Sequence, residues 1–212
     1  MSKKLKVLGY VFLAVYLTCF LALFVLVLCK HTFVVDKFNE VVTMGRNDFL
    51  TGFFKVFTWI GSVYGVFALA ILTIFFKDKR ICIGSILCIL VALALNGIIK
   101  LIVMRARPDG AMYQEVGTSF PSTHATITVA LSLFLCYELF VKCKKLPLKI
   151  GLTILSTFMV ILIGFSRVYL DVHYTSDVLA GWCLGAVCSI AFIFVYEAFL
   201  NLVDKRVRRE HK

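Results

Sequence analysis

No stretch of this chain is polar for long enough to form a separate soluble domain. It has no flexible linker, no low-complexity tract and no internal repeat. Acidic residues are scarce, 12 against 23 Lys and Arg, which leaves a net charge of +11. In a soluble protein that balance would suggest nucleic acid. Here the positive residues sit in short clusters between apolar runs. Membrane topology is the better explanation, and no nucleic-acid partner is expected. Paired cysteines are also missing. The eight cysteines are Cys19, Cys29, Cys82, Cys88, Cys136, Cys143, Cys183 and Cys188. They form no CxxC pair and mostly fall inside apolar runs, so they read as small buried hydrophobes rather than a disulfide framework or a zinc site. The N-terminal MSKKLK and the run Val7–Leu28 mimic a secretion signal. No A-x-A site follows, the run is too long, and bulky Leu28 precedes Cys29, so an uncleaved first helix is expected.

What the chain has is apolar length. Of its 212 residues 61% are hydrophobic, with a mean hydropathy of +0.94, against about 45–50% in soluble domains. The excess falls in runs near the ~20 residues that cross a bilayer as a helix. An all-α, polytopic six-helix transmembrane bundle is expected, one domain over 1–212. The spans are Val7–Leu28, Gly52–Phe76, Ile81–Met104, His124–Val141, Leu148–Ser166 and Asp177–Val203. Basic clusters lie at Lys3, Lys4 and Lys6, at Lys77, Lys79 and Arg80, at Lys142, Lys144, Lys145 and Lys149, and in the tail from Lys205 to Lys212. The positive-inside rule puts them, and both termini, on the cytoplasmic face. Lys30–Thr51 then lies on the outer face. It mixes Phe33, Val34, Phe38, Val41 and Phe49 with Asp36, Lys37, Glu40 and Arg46. It reads either as an amphipathic helix in the interface or as an ordinary outer loop.

Three polar stretches fall at the outer ends of spans three to six. Lys100 to Pro108 reads KLIVMRARP, Pro121 to His124 reads PSTH, and Ser166 to Asp177 reads SRVYLDVHYTSD. Lys100 and Arg107 bracket the end of span three, with Pro108 ending that helix. Taken singly, either could be a snorkelling charge at the membrane boundary, and Arg105 is read that way and left out of the site. PSTH opens a helix, where free N–H groups and the dipole favour an anion. Ser122 adds a hydroxyl, the N–H groups of Thr123 and His124 can complete a phosphate nest, and His124 is placed to pass a proton. The bland alternative is a helix cap. Arg167 can fork onto phosphate oxygens. His173 and Asp177 are four apart, so a carboxylate can fix the histidine tautomer and leave the other nitrogen free to attack. Asp171 competes as partner, but its i,i+2 spacing faces it elsewhere. A metal is the rival ligand for His124, His173, Asp171 and Asp177. The surplus of cations favours an anion, so no metal and no cofactor are expected.

Together these stretches resemble the tripartite pattern of the type 2 phosphatidic acid phosphatase superfamily, the lipid phosphate phosphatases: K-x6-RP, then PSGH, then SR-x5-H-x3-D. Every spacing fits, and Thr123 is the one departure, standing where the pattern has glycine. The resemblance implies a metal-free two-step reaction. His173 attacks phosphorus to give a phosphohistidine, Asp177 orients it, and His124 protonates the leaving group. Lys100, Arg107, Ser122, Thr123 and Arg167 line the phosphate site. Size and layout are similar to the bacterial membrane branch, which includes phosphatidylglycerophosphatase B and undecaprenyl-diphosphate phosphatase types. The expected partners are the bilayer and a phosphorylated membrane lipid met on the extracytoplasmic face of the cytoplasmic membrane. Two other readings stand beside hydrolysis: a phosphotransferase using the same intermediate, and a non-catalytic transporter or scaffold for phosphorylated lipids.

Overall fold

The computed structural model describes residues 3–75, 78–113 and 115–210. Phe76, the expected end of the second span, lies outside them, as do Lys77 and Lys212 of the basic clusters. All regular structure among the described residues is helical. The helices are α1 (Lys3–Leu28), α2 (Phe33–Asp36), α3 (Phe38–Met44), α4 (Asp48–Ile60), α5 (Val63–Leu72), α6 (Lys79–Val103), α7 (Thr123–Lys142), α8 (Leu146–Tyr169) and α9 (Thr175–Glu210), with a short 3-10 turn at Thr73–Phe75.

Five of these helices, α1, α6, α7, α8 and α9, are each long and apolar enough to cross a bilayer. The sixth expected span is not one rod. It is α4 followed by α5 and its 3-10 turn, bent by 56°. The chemistry of the bend is local. Gly61 closes α4, and Ser62 caps α5 by accepting from the Gly65 N–H at 3.2 Å. The first half also starts earlier than expected, because Asn47 caps it, accepting from the Leu50 N–H at 2.9 Å. A side-chain oxygen at the N-cap satisfies a helix donor that otherwise has no partner.

Beyond Lys6, helix α1 is apolar on every face and keeps most of its side chains exposed, among them Leu8, Val11, Val15 and Val25. Such a helix suits hydrocarbon rather than water. It rests on α9, where Tyr10 stacks on Phe194 with centroids 4.6 Å apart. The centre of the bundle is the α7–α9 pair. There Gly181 and Gly185, four apart on α9, let the two backbones approach closely. A Cβ on Gly181 would fall 2.8 Å from the Ser122 carbonyl oxygen, and one on Gly185 would fall 2.9 Å from the Val129 Cβ. Small residues at this spacing are how membrane helices gain packing without a hydrophobic driving force between them.

Helix α6 stops at Val103, before Pro108. Met104 takes a left-handed conformation (φ 47) and donates its N–H to the Lys100 carbonyl at 3.0 Å. The described residues between Met104 and Ser122 are not helical, so Arg105 and Arg107 sit on a connector and not on the helix end. That connector, the start of α7, the end of α8 and the start of α9 all lie at one end of the bundle.

Candidate active site

The α8–α9 turn carries His173, which is 1% exposed. The His173 Nδ1 lies 3.4 Å from the Asp177 Oδ2, and the same oxygen accepts the Tyr174 N–H at 3.0 Å. Asp177 therefore closes the first turn of α9 and faces the imidazole at once. Asp171, the competing partner, is turned away. It has a left-handed backbone (φ 54) and meets Arg46 at 3.8 Å and Asn39 at 3.4 Å. On the other side of the ring, the Arg107 Nη1 is 3.1 Å from the His173 Nε2 and also donates to the Val172 carbonyl at 2.8 Å. A guanidinium has donors only. The Nε2 must therefore present its lone pair, which leaves the proton on Nδ1, facing the carboxylate. Burial, then Arg167, Arg107 and Lys100, hold the His173 imidazolium form well below the ordinary histidine range. That direction favours the neutral ring, the form in which a nitrogen can attack.

Arg167, in the last turn of α8, is fully buried. It donates to Thr58 of α4 at 3.3 Å and to the Tyr113 hydroxyl at 2.5 Å, and it pairs with Glu115. Its Nε has no hydrogen-bond partner among the described residues, and neither does the Ser122 Oγ. Ser122 stands at the N-cap position of α7, yet its side chain makes no capping bond. The cap alternative from the sequence thus leaves its hydroxyl unexplained. Buried polar atoms without partners are rare, and two of them here come from elements that meet at one end of the bundle.

Glu115 draws the rest together. Its Oε2 is 3.0 Å from the Arg107 Nη1 and 3.8 Å from the His173 Nε2, and its Oε1 is 4.0 Å from the His124 Nδ1. His173, Arg107, Arg167 and His124 thus surround one carboxylate. A cleft of ≈ 540 Å³ opens beside it, lined by Arg107, Asp109, Ala111, Tyr113, Glu115 and Val116. Arg107 keeps its charge against partial burial, which pulls its pKa down from the usual guanidinium value.

Two expected site residues point elsewhere. Lys100 gives its ammonium to the Thr118 carbonyl and, at 3.5 Å, to that of Ser119. It holds the connector into α7. The Thr123 hydroxyl donates to the Asn96 Oδ1 of α6 at 2.9 Å, away from the histidines.

Arg105 corrects the sequence reading outright. It does not snorkel. Its Nη1 donates to the Asp177 Oδ1 and the Ser176 Oγ, both at 2.7 Å, and its Nη2 pairs with Asp36 at 2.6 Å. Its guanidinium carbon lies 4.0 Å over the Tyr174 ring centroid. Glu115 and Asn39 were not singled out from sequence either. Asn39 of α3 donates to the His173 carbonyl at 3.0 Å and accepts from the Thr175 N–H at 2.9 Å and the Thr175 hydroxyl at 2.7 Å.

Comparison with known proteins converges on one family. Residues 81–200 match the model of the PAP2 superfamily. The chain is 27% identical over 164 residues to an undecaprenyl-diphosphatase of Sulfolobus acidocaldarius, covering 73% of this chain and 71% of that protein. It is 33% identical over 120 residues to phosphatidylglycerophosphatase B of Bacillus subtilis, covering 54% of each. It is 42% identical over 101 residues to a decaprenylphosphoryl-5-phosphoribose phosphatase of Mycobacterium tuberculosis, covering 45% of this chain and 50% of that one. The match thus spans only about half the length of the last two. Among solved structures, a transmembrane PAP2-type phosphatidylglycerolphosphate phosphatase from Bacillus subtilis superposes with a TM-score of 0.74 at 24% identity, over 89% of this chain and 96% of that one. The fold is shared.

Proposed function

The chain belongs to the PAP2 superfamily and is a multi-pass membrane phosphatase, and from that premise we propose that it hydrolyses the phosphomonoester or diphosphate headgroup of a membrane lipid through a phosphohistidine. The lipid is of the phosphatidylglycerophosphate, phosphatidic acid or undecaprenyl diphosphate class. The observation that carries the reading is the cationic ring of Arg107 and Arg167 around a point within reach of the His173 Nε2 and the His124 Nδ1.

The chemistry follows from that arrangement. A phosphoryl group at the point now held by Glu115 would take charge-assisted bonds from both arginines. The Ser122 hydroxyl and the N–H groups at the start of α7 would add further donors. The His173 Nε2 attacks phosphorus. A P–N bond forms, the bond from the terminal phosphorus to the leaving oxygen breaks (the lipid alcohol's oxygen in a monoester, the bridging oxygen of the lipid phosphate in a diphosphate), and His124 passes its proton to that oxygen. Asp177 stabilises the charge that develops on His173. Water, deprotonated by His124, then attacks phosphorus, the P–N bond breaks and inorganic phosphate leaves. The catalytic power is positioning plus fixed charge aimed at the spreading phosphoryl charge. Lys100 and Arg105 act one step back, the first on the connector and the second on Asp177.

The basic residues Lys79, Arg80, Lys142 and Lys145 lie at the ends of α6, α7 and α8 opposite the site. Positive charge favours the cytoplasmic side, so the site faces outward across the cytoplasmic membrane. Cations at its mouth favour an anion over a divalent ion.

The test is phosphate release by purified protein in detergent, with EDTA present. The panel compares phosphatidylglycerophosphate, phosphatidic acid and undecaprenyl diphosphate. Release from at least one lipid is expected, with His173→Ala losing nearly all of it. Phosphate that appears only on an added lipid or sugar acceptor would instead mean a phosphotransferase. Loss of activity with EDTA would replace the covalent scheme with a metal-assisted one.

A further inference from the structure

Glu115 stands where the proposed reaction needs its substrate. Both cations of the ring turn to it, Arg107 at 3.0 Å and Arg167 in direct contact, and the two histidines lie at 3.8 and 4.0 Å. The carboxylate belongs to the connector between α6 and α7. Gly117 takes φ +87 two residues on, and the Val116 between them is 98% exposed. The Glu115 side chain itself is 23% exposed and borders the ≈ 540 Å³ cleft, so it has open space to enter. Arg167, by contrast, is fixed and fully buried. A buried cation left without a partner is costly, and in the free enzyme Glu115 supplies the partner.

We infer that Glu115 is a specificity-determining residue: a tethered carboxylate that occupies the phosphate site and must be displaced by the headgroup. The inference rests on the reading of the arginine ring as that site. Its consequence is a threshold. A tethered group competes at an effective concentration of order mM. A free monoanion such as acetate offers the arginines nothing that Glu115 does not already give. A phosphoryl group offers more charge and more acceptor oxygens, enough to serve both arginines and the unpaired Ser122 hydroxyl together. Its negative charge also repels the carboxylate towards the cleft. Once Glu115 has left, the His173 Nε2 faces phosphorus.

The test uses the full chain in detergent and two probes, inorganic phosphate and acetate, each binding measured by calorimetry and by competitive inhibition of a soluble phosphomonoester. Glu115→Gln keeps the shape and removes the charge. Phosphate should bind it about tenfold more tightly or better, a change of ~1.4 kcal/mol, and KM should fall in parallel. Acetate should inhibit the variant at concentrations that leave the wild type unaffected. Glu115→Asp, charged but shorter, should fall between the two. Phosphate affinity that is unchanged or weaker in Glu115→Gln would overturn the inference. Arg167→Ala separates the two claims. If it weakens phosphate binding while Glu115→Gln does not strengthen it, the site stands and the tethered competitor falls. If Arg167→Ala leaves phosphate binding untouched, the ring is not the phosphate site and both readings fall.

Discussion

Thr123 carries a hydroxyl where the superfamily pattern has glycine, and the structure gives that hydroxyl a partner. It donates to the Asn96 Oδ1, while the Asn96 Nδ2 donates to Thr126 at 3.0 Å and to the Pro121 carbonyl at 3.3 Å. Asn96 is 1% exposed in the middle of an apolar bundle. Thr123→Gly would leave its oxygen without that donor, a loss of order 1–3 kcal/mol for a buried polar group. Thermal unfolding in detergent should show Thr123→Gly less stable and Thr123→Ser close to the wild type. A Thr123→Gly protein as stable as the wild type would mean that Asn96 finds another donor. Arg105 teaches a related lesson. Its position at the end of an apolar run looks like a snorkelling charge. Its partners, Asp36 and Asp177, are 69 and 72 residues away in the chain. No local pattern could reveal them. Glu115 escaped for the opposite reason: in a polar connector a single glutamate carries no signal until its neighbours in space are known.

The segment between α1 and α4 is more than a connecting loop. Helices α2 and α3 are short, and several of their apolar side chains face out, with Phe33 71%, Val34 84% and Met44 82% exposed, while Val42 packs inward. Two polar side chains, Asp36 and Asn39, face in. Asp36 accepts the Ser176 N–H at 3.0 Å, and Asn39 holds both the His173 carbonyl and Thr175. The strap therefore clamps the turn that presents His173. Displacing a reacting atom by about an ångström can cost ~10²-fold in rate. Asn39→Ala should lower kcat by up to about that factor while leaving KM for a soluble phosphomonoester near the wild-type value. A change confined to KM would place Asn39 in substrate binding instead. The amphipathic mix of Lys30–Thr51 was legible in the sequence, but which side chains face the turn that carries His173 was not. The bend between α4 and α5 was partly legible, since Gly61-Ser62 interrupts an apolar run. Its use was not: α4 brings Thr58 to Arg167 and, at 2.7 Å, to the Ser166 hydroxyl.

At the scale of the whole molecule, the apolar runs dictate the bundle, and the bundle brings together residues from four places in the chain. The α6–α7 connector supplies Arg107, the start of α7 supplies Ser122 and His124, the end of α8 supplies Arg167, and the α8–α9 turn supplies His173 with Asp177. Spacing made this legible, because apolar helices of known length return their ends to the same side of a bilayer. The helix ends themselves were less legible, since α9 continues to Glu210, past the expected Val203. The central claim is that this convergence serves covalent phosphoryl transfer to His173. Its most direct test is to quench the purified enzyme during turnover of a lipid labelled in its phosphoryl group, then map the labelled residue by mass spectrometry. The account predicts an acid-labile, base-stable adduct on His173, absent from His173→Ala and accumulating in His124→Ala with a good leaving group. An adduct on His124, or none at all during active turnover, would contradict it.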